Sequence, residues 1–308
     1  MLKISVLIIT RNKDKDLDEC LKSISNQSAP PFEVVVVDND SSDSTRSVCK
    51  KHKKTLPIKY FLEKRIGIPY ARNKSIRKAS GDTFAFIDDD CIAKKNWLKT
   101  IQTNFVDDKE LDAIVGLTRS YFTKLVPLVE QFYYERWVLL HVDSLTKKSL
   151  MKNARFFDFK NCAVRARVFA KMPSLFSYNV PFGDVGDEDI EYGTRLSKYC
   201  KRALFNPKVR VYHKNSQALV RLANRNFYNG VSSFLLRNKG VDLEKKFIKK
   251  RWRKMIVLSP RHLRLLDTLI EKVSFLILVL VFPIFYKVGK IYGQIQFSLN
   301  RDYTLPPR

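Results

Sequence analysis

The chain has 308 residues, 45% of them hydrophobic, which allows one large core or two modest ones and excludes a disordered chain. Its five cysteines, Cys20, Cys49, Cys91, Cys162 and Cys200, lie far apart with no C-x-x-C pair. That spacing excludes a zinc site or a disulfide framework and fits reduced thiols in a cytosolic catalytic region. The net charge of +26 is uneven: residues 201–308 hold 23 Lys and Arg against 5 Asp and Glu, a surplus of 18. Such asymmetry points to a polyanionic partner, either nucleic acid or an anionic membrane surface.

In chain order, the apolar run 4–9 ends in Thr10-Arg11-Asn12 without a small-residue cleavage site, so it reads as a first buried strand and not as a signal peptide. Leu17, Cys20, Leu21 and Ile24 follow at helical spacing, and 33–38 is a second buried strand. Helices are predicted over 44–52 and 69–79, strands over 58–62 and 83–87, then a helix containing Trp97 and a strand over 112–116. This alternation predicts an α/β domain, a mostly parallel sheet flanked by helices, binding its ligand at the carboxyl ends of the strands. Further on, residues 209–212 alternate as a strand that ends at His213.

The C-terminal region couples a basic cluster, residues 245–254, with residues 273–286, which carry no charge. A basic cluster beside an apolar segment suits an anionic leaflet, each basic side chain near the surface contributing about 1 kcal/mol. No nucleic-acid reading motif accompanies the surplus, so nucleic acid is set aside as a partner. As a helix, the charge-free run spans about 21 Å, short of the roughly 30 Å hydrocarbon core. Either Lys287 and Lys290 snorkel and extend the segment to 273–292, or the helix lies in the interface with a kink at Pro283; a buried soluble helix is the third reading.

Polar clusters close three of the predicted strands. Thr10-Arg11-Asn12 follows the first, Asp38-Asn39-Asp40-Ser41-Ser42-Asp43 the second, and Asp88-Asp89-Asp90 the strand 83–87. Adjacent carboxylates repel and are costly to desolvate, so the triple Asp invites a divalent cation; turn and N-cap chemistry is the plainer account of the same residues. Neither G-x-G-x-x-G nor G-x-x-x-x-G-K-[ST] follows any strand, so a phosphate bound here needs a metal to neutralise it.

Seven segments in this order, ISVLIITRN, VVVVDNDSSDST, IGIPYARNKSI, FAFIDDDC, KNCAVRARVF, GDEDIEYGTRL and VRVYHKNS, resemble family 2 glycosyltransferases of the GT-A fold. The resemblance covers residues 1–216 as the catalytic domain, with an acceptor-side insertion over about 118–160 and a helical basic region over 217–308. It implies inverting transfer of a sugar from a nucleotide-diphosphate donor to a glycan or lipid-linked acceptor, with Mg2+ or Mn2+ on the diphosphate. By the same resemblance Thr10, Arg11, Asn12, Asp38, Asp40, Arg72 and Asp88 surround the nucleoside, Asn161 lies near the donor sugar or acceptor, and Asp90, Asp88 and His213 are metal candidates. Asp89 is open to either role. Asp189, beside Glu188, is the implied base that takes the acceptor hydroxyl proton.

Departures from the pattern are Asp40, where Gly is usual, and Lys160, where Gly commonly precedes the asparagine. The aromatic residues of the insertion suit sugar rings or lipid, and core packing accounts for them equally well. A nucleotidyltransferase would need a Gly-rich phosphate loop near the N-terminus, which is absent; intact Asp90 and Asp189 argue against an inactive scaffold. Because nucleotide sugars are cytosolic, the expected location is a membrane, with the catalytic domain on its cytoplasmic side.

Overall fold

The computed structural model describes residues 2–139, 141–151, 157–172, 188–238, 260 and 262–300. The chain divides into two compact units: Met1–Arg119, Thr146–Tyr178 and Tyr192–His213 form the first, and Ser120–Leu145, Asn179–Glu191 and Lys214–Arg308 the second.

In the first unit β1 (Ile4–Thr10) and β2 (Glu33–Asp38) are buried along almost their whole length, as continuous Val and Ile runs in a sheet covered on both faces must be. Between them α1 (Asp14–Ser25) buries Leu17, Cys20, Leu21 and Ile24, the stripe its spacing predicts. There follow α2 (Thr45–His52), β3 (Ile58–Leu62), α3 (Ile68–Lys78), β4 (Thr83–Ile87), β5 (Cys91–Ala93), α4 (Trp97–Asp107) and β6 (Ala113–Ser120). Pro69 sits in the first turn of α3, where a missing N–H costs nothing.

Past the second-unit helix α5 (Leu125–Val138), the sheet resumes with β7 (Ser149–Leu150) and β8 (Asn161–Arg165), then α6 (Ala166–Ala170), α7 (Glu188–Leu196) and β9 (Ala203–His213). The strand order is β3-β2-β1-β4-β8-β6-β9-β5, with β7 beside β9. β3-β2-β1-β4 pair in parallel, whereas β8 runs antiparallel to β4 and β6, and β9 antiparallel to β5 and β7. The sheet is therefore mixed, with a four-stranded parallel block at the front of the chain.

In the second unit α5, α8 (Leu219–Asn238) and α9 (Leu269–Leu299) are the main helices. With 31 residues α9 is about 46 Å long, and Pro283 lies inside it without ending it. A capping box of Thr268 and Glu271 fixes its start. Phe227, Val231 and Phe234 of α8 meet Gly289, Gly293 and Phe297 of α9 in that order, so the two helices run in the same direction. The approach depends on glycine: a Cβ on Gly230 would collide with the Tyr286 carbonyl, and one on Gly289 with that of Phe227.

Phe132 of α5 packs edge-on against Phe275 and His262, at centroid distances of 5.8 and 5.6 Å. Tyr133 donates to the Val279 carbonyl at 2.6 Å. These aromatics of the expected acceptor-side insertion are thus core of the second unit. The basic cluster at 245–254 lies outside the described residues.

Candidate active site

The parallel strands end together, and their polar termini interlock within the first unit. The Asn39 N–H donates to the Thr10 carbonyl at 2.8 Å, joining the loops after β1 and β2. Asn12 and Asp40 both adopt positive φ, 53° and 62°. Asn and Asp are the non-glycine residues that tolerate this region best, so Asp40 keeps the backbone shape for which glycine is the usual choice. Asn12 closes the joint, donating its N–H to Ser41 Oγ at 2.9 Å and accepting the Ser42 N–H at 2.8 Å.

Asp38, buried at the end of β2, accepts from Tyr60 Oη at 2.6 Å and from the Ser41 N–H at 2.9 Å. Burial and this carboxylate push the Tyr60 hydroxyl well above its ordinary value. Beside it, the Asn39 side-chain amide donates to the carbonyls of Glu63 and Arg65 and accepts from the Gly67 N–H, which pins the loop leading into α3. Arg11 Nε is buried with no partner among the described residues.

The acidic run bridges β4 and β5, turned by the Cys91 N–H bonding to the Asp88 carbonyl at 3.1 Å. Because β5 pairs with the end of β9, Cys91 stands opposite His213. His213 Nε2 therefore lies 3.2 Å from Asp90 Oδ1, a proximity that joins residues over a hundred positions apart. On the other side Lys13 Nζ bridges Asp90 Oδ2 at 2.7 Å and Asp89 Oδ1 at 3.2 Å. Burial opposes charge on both carboxylates: it pushes Asp89 up, whereas His213 and Lys13 overcome it at Asp90 and hold that carboxyl far below the usual range. Asp88 points away from this pair, 3.5 Å from Arg72 Nη2, and the Arg72 guanidinium stacks over Phe159 at 5.3 Å.

Thr10, Arg11, Asn12, Asp38, Asp40, Asp88, Asp89, Asp90 and His213 thus all belong to the strand ends and loops of the first unit, and Arg72 reaches Asp88 from within α3. Asn161 lies in the packed interior of the same unit. It is fully buried, accepting from Trp97 Nε1 at 2.9 Å and donating to the Val209 carbonyl at 3.1 Å, so it ties β8 to α4 and β9. Lys160 is paired with buried Asp158 at 2.8 Å. Glu188 and Asp189 open α7 within the second unit, three residues before the buried Tyr192. Lys13, Tyr60 and Asn39 were missed in the sequence; for Lys13 the available signal was a cation directly after a strand-end cluster.

Asp90 and His213 offer a hard oxygen and an imidazole nitrogen at one point. Among the described residues no group of three or more His, Cys, Asp or Glu side chains could hold a metal by itself.

The family model described as Glycosyl transferase family 2 matches residues 5–172, more than half of the chain. The chain belongs to glycosyltransferase family 2. Staphylococcus aureus poly(ribitol-phosphate) beta-N-acetylglucosaminyltransferase TarS is 33% identical to this family member over 142 residues, 42% of the chain and 25% of TarS. The chain spans only 25–30% of the length of the first curated relatives it matches. Glucosyl-dolichyl phosphate glucuronosyltransferase of Haloferax volcanii is 24% identical over 95% of the chain and 96% of its own length. Among solved structures, Pyrobaculum calidifontis mannosyltransferase PcManGT, in complex with GDP-Man and Mn2+, aligns over 96% of this chain and 88% of its own, with a TM-score of 0.64 and 17% identity. That likeness establishes the GT-A fold.

Proposed function

We propose that this chain is an inverting glycosyltransferase that moves a sugar from a nucleotide-diphosphate donor to a hydroxyl acceptor, a glycan or a lipid-linked glycan. The observation that carries this reading is Asp90 set between His213 and Lys13 at the end of β4, inside the segment matched by the family model. Arg11, Asn12, Asp38, Asp40, Arg72 and Asp88 hold the nucleoside side of the donor, with the unpartnered Arg11 Nε available to it.

Asp90 and His213 fit a cation that completes its shell from substrate phosphates, the usual manner for Mg2+ and Mn2+. When bound, such an ion supplies Lewis-acid stabilisation of the departing diphosphate. Asp189, seconded by Glu188, takes the acceptor hydroxyl proton as the oxygen attacks the anomeric carbon. The bond to the diphosphate oxygen breaks with its electron pair leaving on that oxygen, and configuration inverts. Mn2+ and a nucleotide sugar in the PcManGT complex support the cofactor and donor classes. The full-length match to a dolichyl phosphate enzyme supports a lipid-linked acceptor, and with it attachment to a membrane on the cytoplasmic face, where nucleotide sugars reside.

The direct test is a thermal-shift screen of nucleotide sugars with and without Mn2+. A donor should raise the melting temperature with the ion and do so far less after EDTA; a shift indifferent to metal would remove the role given to Asp90 and His213. Asp189→Asn should abolish transfer and keep that donor shift, and normal turnover in this variant would sink the assignment of the base.

A further inference from the structure

The surface of α9 is divided lengthwise. Phe275, Val279, Phe282, Gly289 and Gly293 form a buried stripe against the rest of the second unit, whereas Ile270, Ile277, Leu280, Ile284, Ile291 and Ile295 are exposed. Only 17% of its most apolar 18-residue stretch is buried, so the exposed stripe is not the core face of a soluble helix. At about 100° per residue the three lysines Lys272, Lys287 and Lys290 fall within roughly 60° of one another, on one shoulder of the exposed arc. A helix with an apolar face, a cationic rim and an opposite side covered by protein is built to lie flat at an interface.

The neighbouring helix gives an independent reason. Since Phe227 lies against Gly289 and the helices run in parallel, Arg221 and Arg225 of α8 stand level with the middle of α9, and both are exposed. Driving α9 across a bilayer would carry the Arg221 guanidinium, the Arg225–Glu130 ion pair and exposed Asn224 into hydrocarbon, where charged groups are strongly disfavoured. Lying flat leaves them in water.

We propose that α9 is an in-plane membrane dock: its exposed face sinks among the acyl chains of an anionic bilayer while Lys272, Lys287 and Lys290 meet lipid phosphates at the rim. This deepens the membrane attachment proposed above and rests on it. The lysine rim selects an anionic lipid surface over a second copy of this chain, which would present like charge.

The full chain is tested by flotation with vesicles of phosphatidylcholine, with and without phosphatidylglycerol. The three lysines predict binding about tenfold or more tighter with the anionic lipid. The five native cysteines are buried, so nitroxides can be placed singly at Ile270→Cys, Ile277→Cys, Ile284→Cys and Ile291→Cys to read depth by electron paramagnetic resonance. Equal depth at all four supports the in-plane dock. Deep labels at 277 and 284 with wet labels at 270 and 291 mean a span and overturn it. Failure to float, with the stripe buried in a dimer or exposed to water, overturns membrane attachment itself. Ile284→Glu alters only an exposed position and should abolish flotation while keeping the donor-induced thermal shift; undiminished binding by this variant also refutes the proposal.

Discussion

Asp90 meets basic side chains of its own chain through both carboxylate oxygens, His213 on one and Lys13 on the other. The lysine contact makes Lys13 a countercharge for the very group proposed to bind metal. Lys13→Ala should therefore have two opposite effects. Without metal, Asp89 and Asp90 are left facing each other and stability falls by about 1–2 kcal/mol, the range of a hydrogen bond to a charged group. With Mn2+ the carboxylates are more available, so the gain in melting temperature on adding the ion should exceed that of the wild type; an equal gain would show that Lys13 and metal do not compete. The acidic run was legible because three adjacent carboxylates are costly without a partner. Lys13 was not, because only the fold brings the loop after β1 within hydrogen-bond reach of the end of β4. The core contacts of Asn161 were hidden for a related reason: its partners Trp97 and Val209 are distant in sequence and only the fold brings them to it.

At the scale of elements, the β3–α3 connection is set by Glu63, a buried carboxylate with Arg65 Nε at 3.0 Å and Lys74 Nζ at 3.5 Å. The Arg65 hydrogen bond, working against burial, holds its carboxyl down at about 2, below the ordinary value of 4.5. A depressed folded value means that Glu63 stabilises the fold above the unfolded value and loses that contribution as pH falls through about 2. Glu63→Gln should therefore cost about 1–2 kcal/mol at neutral pH, allowing for the solvent around Arg65. In urea titrations the gap from wild type should narrow as pH drops below about 4.5; a gap constant with pH would contradict the pairing. The front elements were readable, β3 and β4 to the residue: β4 is a continuous buried apolar run, and β3 is apolar at every position but Lys59. The later half of the sheet was less so. Its β6 extends to Ser120 and its β9 begins at Ala203, and partners in those strands are fixed by long-range pairing that periodicity does not encode.

At the scale of the whole molecule, the second unit depends on backbone approach at two glycines. Gly289→Ala should cost about 1–3 kcal/mol, since its Cβ would collide with the Phe227 carbonyl and neither backbone can yield. Gly293→Ala should cost less, because there the nearest atoms of Val231 stand at 3.2 Å. Equal melting curves for the two variants would contradict the packing. Fourteen charge-free residues indicated an apolar helix, but its true length of 31 residues was hidden because lysines on the rim and Pro283 interrupt the run without ending the helix.

The parallel course of α8 and α9 also bears on how the protein is made. The residues of α9 that receive α8 lie between Tyr286 and Phe297, and they leave the ribosome well after α8 itself. Helix α8 is therefore synthesised long before its partner exists. Until then Gly230 and Phe227 have no surface to close upon, whereas the front βαβ units can assemble from contacts already made. Completion of the second unit therefore waits for α9, and a stop codon placed before residue 286 would leave α8 permanently without its mate.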